Sequence, residues 1–66
     1  MKEQYDILRH YGRILADKNH ETTDGHFIRF TTYEYQGCYY VATICDGVVM
    51  MIAEKDDIRE VVVLWD

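Results

Sequence analysis

The chain has no proline and no serine, only two cysteines, and seven basic residues against twelve acidic ones in 66 positions. Each shortage excludes something. Without serine there is no serine-based catalytic triad. Cys38 and Cys45 fall in one expected strand, where seven residues span about 23 Å, whereas a disulfide needs Cα atoms within about 7 Å. Two unpaired thiols suit a reducing, cytoplasmic setting. No segment approaches the roughly 20 apolar residues of a membrane span. No leader peptide is expected, because Met1–Asp6 is polar and no apolar run follows it. The four glycines, at 12, 25, 37 and 47, are too far apart for a phosphate-binding loop.

The basic residues are also unevenly placed. Residues 1–33 balance five basic against five acidic side chains, while residues 34–66 hold two basic against seven acidic, so the whole net charge of −5 lies in the second half. Direct nucleic-acid binding needs a basic stripe, and none is present. An acidic half is drawn instead to a basic protein surface. A chain of this length forms one domain at most and buries only about 60% of its unfolded surface. Ordering costs nearly cancel the burial term in so small a scaffold, which makes oligomerisation, with a homodimer as one form of it, the expected staple.

Apolar spacing predicts a helix over residues 3–18, with Leu8, Tyr11 and Leu15 on one stripe beside Ile7 and Ile14. Glu3 and Asp6 in its first turn and Lys18 in its last suit the helix dipole, and Asn19 suits a left-handed stop. Gly12 weakens that helix by roughly 1 kcal/mol relative to Ala, and would also allow close approach to a sheet. Residues 19–25 read as a polar loop. Strands are expected at 26–35, 38–45 and 48–54, joined by Gln36-Gly37 and Asp46-Gly47, the second being a strong hairpin signal. Lys55-Asp56-Asp57 breaks the pattern, and the β-branched run Val61–Trp65 reads as a fourth strand. The expected fold is α+β: an N-terminal helix packed on a three- to four-stranded antiparallel β-meander.

Two-residue turns fix a register in which Cys45 faces Val48, Thr43 faces Met50 and Val41 faces Ile52. That face, with Ile28, Phe30 and Thr32, is aliphatic and suits the helix stripe. The other holds Tyr33, Tyr35, Tyr40 and Arg29 among Ala42, Ile44, Val49 and Met51. A bulge at Gly37 would exchange the first strand's two sets. Neither face is polar, so one packs on the chain's own helix and the other on something else. Tyr and Arg are favoured at interfaces, which selects the tyrosine-bearing face as the contact surface unless residues 61–65 cover it.

Catalytic and metal-binding readings are weaker. His20-Glu21-Thr22-Thr23-Asp24 approaches the zinc-protease pattern His-Glu-x-x-His, with His26 nearby, but that pattern needs one helix face and this stretch reads as loop. As a calcium loop the same stretch fails at Thr22 and Ile28. Cys38 and Cys45 read as buried structural thiols, His10 as exposed, and the carboxylates of residues 54–60 as a solvated turn. Tyr33, Tyr35, Tyr39 and Tyr40 lack the basic groove of a base-stacking platform. No cofactor, catalytic residue or metal ligand is expected.

In size, acidity and lack of catalytic residues the chain resembles the small acidic inhibitors encoded by phages and mobile elements, including anti-CRISPR proteins. The resemblance covers no motif and carries over no residue. It implies a cytoplasmic, non-enzymatic inhibitor or regulator that blocks a basic surface on a larger, nucleic-acid-handling protein. The residues assigned to that contact are Arg29, Tyr33, Tyr35, Tyr40, Asp56, Asp57 and Glu60. Two other classes stay open: a homo-oligomer enclosing a small molecule near Arg29 and Tyr40, and a minimal metal-binding protein using His20, Glu21, Asp24 and His26.

Overall fold

Gln36-Gly37 and Asp46-Gly47 each place two successive residues at positive φ, the geometry of a type I′ turn that matches the twist of paired strands. They organise a computed structural model that describes residues 1–63. The elements are α1 (Lys2–Tyr11), β1 (Arg13–Glu21), β2 (Phe27–Tyr35), β3 (Cys38–Cys45), β4 (Val48–Lys55) and α2 (Arg59–Val62). The four strands form one antiparallel sheet in the order β1-β2-β3-β4. With α1 packed against the sheet, the arrangement is α+β, as expected. Among the described residues, no helix is long and apolar enough to cross a membrane.

The helix predicted over residues 3–18 ends at Tyr11. Gly12 is extended there, with φ −77° and ψ 156°, and its N–H donates to the Leu8 carbonyl at 2.8 Å. A Cβ at Gly12 would lie 2.6 Å from the Leu8 carbonyl oxygen and 3.3 Å from Tyr33 Cδ1. The glycine therefore lets the chain turn against the sheet at close range. Beyond it, residues 13–21 form β1 and pair with β2, from Arg13 opposite Glu34 to Glu21 opposite Phe27. Residues 19–21, read as loop, belong to this strand. Leu15, Ala16 and Lys18 favour helix on their own, but pairing along a nine-residue strand outweighs a propensity of tenths of a kcal/mol per residue.

The first hairpin has the expected register, with Tyr35 opposite Cys38 and no bulge at Gly37. The second does not. Cys45 faces Val48 and Ile44 faces Val49, but Thr43 then faces Met51, leaving Met50 as an extra residue. The expected pairs Thr43–Met50 and Val41–Ile52 are therefore replaced by Thr43–Met51 and Val41–Ala53. Since side chains alternate, every residue after the bulge changes face.

The bulge bears on which face α1 covers. Leu8, Tyr33 and Ala42 form the buried cluster, with Tyr5, Tyr35, Tyr40 and Ile52 against it. The helix thus lies on the tyrosine-bearing face, not on the aliphatic one. Ala42 leaves room for Leu8, and Ile52, brought round by the bulge, supplies the aliphatic surface beside it. Burying a side chain the size of Leu8 contributes about 1.5–3 kcal/mol.

The segment from Val61, expected as a strand, begins inside α2; Val61 is fully buried, and Leu64 and Trp65 lie outside the described residues. The helix is started by its flanking acids. Arg59 N–H donates to Asp57 Oδ1 at 2.9 Å, and Asp57 N–H donates to Glu60 Oε2 at 3.3 Å. The pair has the spacing of a capping box, but the Asp57 side chain takes the Arg59 N–H, while the Glu60 N–H goes to the Asp57 backbone carbonyl.

Gly12→Ala is expected to destabilise the chain by about 1–3 kcal/mol, the usual range for overpacking a tight contact. Urea unfolding of both proteins measures it, and equal stability would mean that the close approach of Gly12 to Tyr33 carries no strain when filled.

Candidate interaction surface and turn cluster

On the face away from α1, the register aligns Ala16, Thr32, Val41 and Ala53 in a row across all four strands. The next row is Lys18, Phe30, Thr43 and Met51. Small side chains form the floor and large ones the wall of a shallow concavity of about 370 Å³, with Lys18 and Lys55 also lining it. Thr32 and Val41 on the floor are buried, whereas Phe30 is 41% exposed, Met51 55% and Val48 60%. Val48 shares this face through its pairing with Cys45 and Ile28. Met50, the bulge residue beside it, is exposed as well.

The residues assigned to the contact from sequence are distributed differently. Tyr33 is 2% exposed beneath Leu8, so it belongs to the core and not to an interface. Burial pushes its hydroxyl up to about 12, so it stays neutral. Tyr35 and Tyr40 are half-buried beside the same cluster. Partial burial, with Glu54 nearby, raises Tyr40 too. Arg29 is held by Asp17 through Nε at 2.9 Å and Nη2 at 2.6 Å, and the Thr31 hydroxyl donates to the same carboxylate at 3.1 Å. That fork fixes Arg29 to the neighbouring strand, and its hydrogen bonds hold Asp17 below the usual carboxylate range. The small-molecule site expected near Arg29 and Tyr40 therefore falls on the face that α1 packs against, and the concavity lies on the other one.

Asp57 is bound by Arg59 through its side chain and its backbone N–H, which lowers the Asp57 pKa. Asp56 and Glu60 are exposed. Cys38 is half-buried rather than buried; desolvation and the Glu54 carboxylate both push its thiol up. A thiol held protonated by neighbouring carboxylates is the reverse of an activated nucleophile.

The stretch weighed as an alternative metal site, His20, Glu21, Asp24 and His26, is divided. His20 and Glu21 pair within β1, opposite Ile28 and Phe27. Asp24 and His26 stay together in the β1–β2 loop, with Nε2 of His26 3.7 Å from Asp24 Oδ2. The fold adds two residues that sequence spacing does not associate with them. Asp46 accepts the Phe27 N–H on Oδ1 at 2.9 Å, and its Oδ2 lies 2.6 Å from His26 Nδ1 and 3.9 Å from Cys45 Sγ. The Phe27 N–H, and secondarily His26, hold Asp46 below the usual carboxylate range. Only the adjacency of β2 and β3 brings these turns together.

Asp17 and Asp46 both titrate lower in the folded chain, so the stability they add is present above the unfolded value near 3.9 and is lost as pH falls through the folded value. The melting temperature is expected to drop steeply below about pH 4, and Asp17→Asn and Asp46→Asn each to flatten that drop. Unchanged acid slopes in both variants would remove these two carboxylates from the acid response.

Comparison with protein-family models, with curated proteins and with solved structures finds no match to this chain.

Proposed function

We propose that the chain is a non-enzymatic, protein-binding inhibitor or regulator that docks through the sheet face opposite α1. The observation that carries this reading is the group Phe30, Val48 and Met51, three large apolar side chains between 41% and 60% exposed on adjacent parts of β2 and β4. Contiguous apolar patches of this kind mark interaction sites more often than isolated exposed residues do. Methionine suits the role because its unbranched, polarizable side chain adapts to a partner. The tyrosine-bearing face is replaced as the contact because Leu8 already covers its centre.

The partner class remains a larger protein with a basic surface. β4 runs from the apolar patch into Glu54, and Asp56 and Glu60 follow. Asp57 adds less, since Arg59 neutralises it. In this division of labour the patch supplies affinity and the acidic turn speeds encounter and selects orientation.

Phe30→Asp and Met51→Asp test the reading, since both side chains are exposed in the folded chain. Each is expected to weaken capture of the larger partner from a lysate of the source cells at least tenfold while leaving the circular dichroism spectrum unchanged. Capture should also fall as salt rises from about 50 to about 500 mM. Undiminished capture by both variants would overturn the docking face, and salt-independent capture would remove the acidic turn from the mechanism. Light scattering on the same proteins shows whether a second copy covers the patch instead.

A further inference from the structure

The turn cluster has a chemistry separate from docking. A ring nitrogen of His26, Cys45 Sγ and a carboxylate oxygen of Asp46 all lie within 4.8 Å of one another, and Nδ1 is the nitrogen that meets Asp46 Oδ2. In a tetrahedral zinc site, bonds of about 2.0 Å to nitrogen and oxygen and about 2.3 Å to sulfur put neighbouring donors roughly 3.3–3.8 Å apart. The sulfur–oxygen separation of 3.9 Å is already close to that. The nitrogen–oxygen separation of 2.6 Å, now a hydrogen bond, must open by less than about 1 Å.

The surroundings supply the second layer that such a site uses. The Asp46 carboxylate is oriented by the Phe27 N–H on its other oxygen. On the far side of the imidazole, Asp24 Oδ2 lies 3.7 Å from Nε2. Asp24 is itself held, because its Oδ1 accepts the Thr22 hydroxyl proton, and that hydroxyl oxygen accepts the His26 N–H at 3.0 Å. A ligating histidine characteristically donates its second ring N–H to a carboxylate, which fixes the tautomer and raises the basicity of the ligating nitrogen. Asp24 stands where that carboxylate belongs.

We propose that His26 Nδ1, Cys45 Sγ and Asp46 Oδ2 form a binding site for a borderline-soft divalent cation, zinc or cobalt, with Asp24 as the carboxylate behind the imidazole. On binding, the Nδ1 proton is exchanged for one on Nε2, facing Asp24, and the Cys45 thiol releases its proton to solvent. Thiolate and carboxylate together neutralise the two positive charges. Three protein donors leave a fourth position for water. Calcium and magnesium are disfavoured because they require six or more oxygen donors. The other three-residue group, Cys38 with Glu54 and Asp56, has no imidazole and serves as an internal control.

Cobalt titration of the full chain, in a non-thiol reductant, tests the site. The expected result is one ion per chain, with a thiolate-to-cobalt charge-transfer band in the near ultraviolet and the strong visible bands of four-coordinate cobalt. Cys45→Ser should abolish the near-ultraviolet band, His26→Ala should weaken binding at least tenfold, and Asp24→Asn should weaken it about tenfold. Cys38→Ser and Met51→Asp should change none of these, which separates this site from the docking face. A variant with an altered circular dichroism spectrum is replaced by its milder counterpart, His26→Gln for His26→Ala. Saturation without a thiolate band, or equal binding by wild type, Cys45→Ser and His26→Gln, would overturn the proposal.

Discussion

Side chains in a strand alternate between two faces, so one inserted residue reverses every position that follows it. Met50 is that residue in β4, and much of the surface organisation follows from it. It brings Ile52 to the side of Leu8 and Ala42, where α1 closes the core, and sends Met51, Ala53 and Lys55 to the opposite side. Without the bulge, Met51 would lie under the helix and Ile52 would join the outer face. The outer face owes its shape to the same event: Ala53 completes a row of small residues, and Met51 stands beside Phe30 as the raised wall next to it.

The joint at Gly12 supports this arrangement from the other end. The helix must stop early and turn back within a few ångströms of Tyr33, and any side chain at residue 12 would meet the Leu8 carbonyl. Among the described residues, the buried apolar set of Leu8, Tyr33, Val41, Ala42, Ile44 and Val61 is small, and three of these six side chains are no larger than valine. A core of that size leaves little stability in reserve. Polar ties across strands therefore matter more here than they would in a larger domain, notably the Arg29–Asp17 fork between β2 and β1 and the Asp46–Phe27 bond between adjoining turns.

What the sequence made legible was local. Asp46-Gly47 and Gln36-Gly37 specify two-residue turns through the backbone geometry they favour, so β2, β3 and β4 could be placed nearly to the residue. The bulges could not be read, because a period of two gives no warning of an extra residue until packing selects it. At residues 14–16 a second register shift leaves Leu15 without a partner across the strand, while the spacing of Leu8, Tyr11 and Leu15 carries the helical period past Gly12, which is why β1 read as the continuation of α1. The helix at residues 59–62 was legible in principle: Asp57 and Glu60 carry the spacing of a capping box, but the β-branched run after them pointed to a strand. Asp46 and Cys45 were not connected to His26 because the residues are about 20 positions apart and meet only through the sheet.

The two candidate sites lie close together, and the reason is topological. A β-meander of four strands places the β1–β2 and β3–β4 turns at one end of the sheet, with β2 and β3 as neighbours between them. Cys45 belongs to both regions. Through Ile28 and Val48 it lies in the end row of the face opposite α1, and through Asp46 it belongs to the turn cluster. Any ligand that fixes the Cys45 thiol therefore also fixes the edge of the apolar patch, at the point where the chain enters the bulged strand.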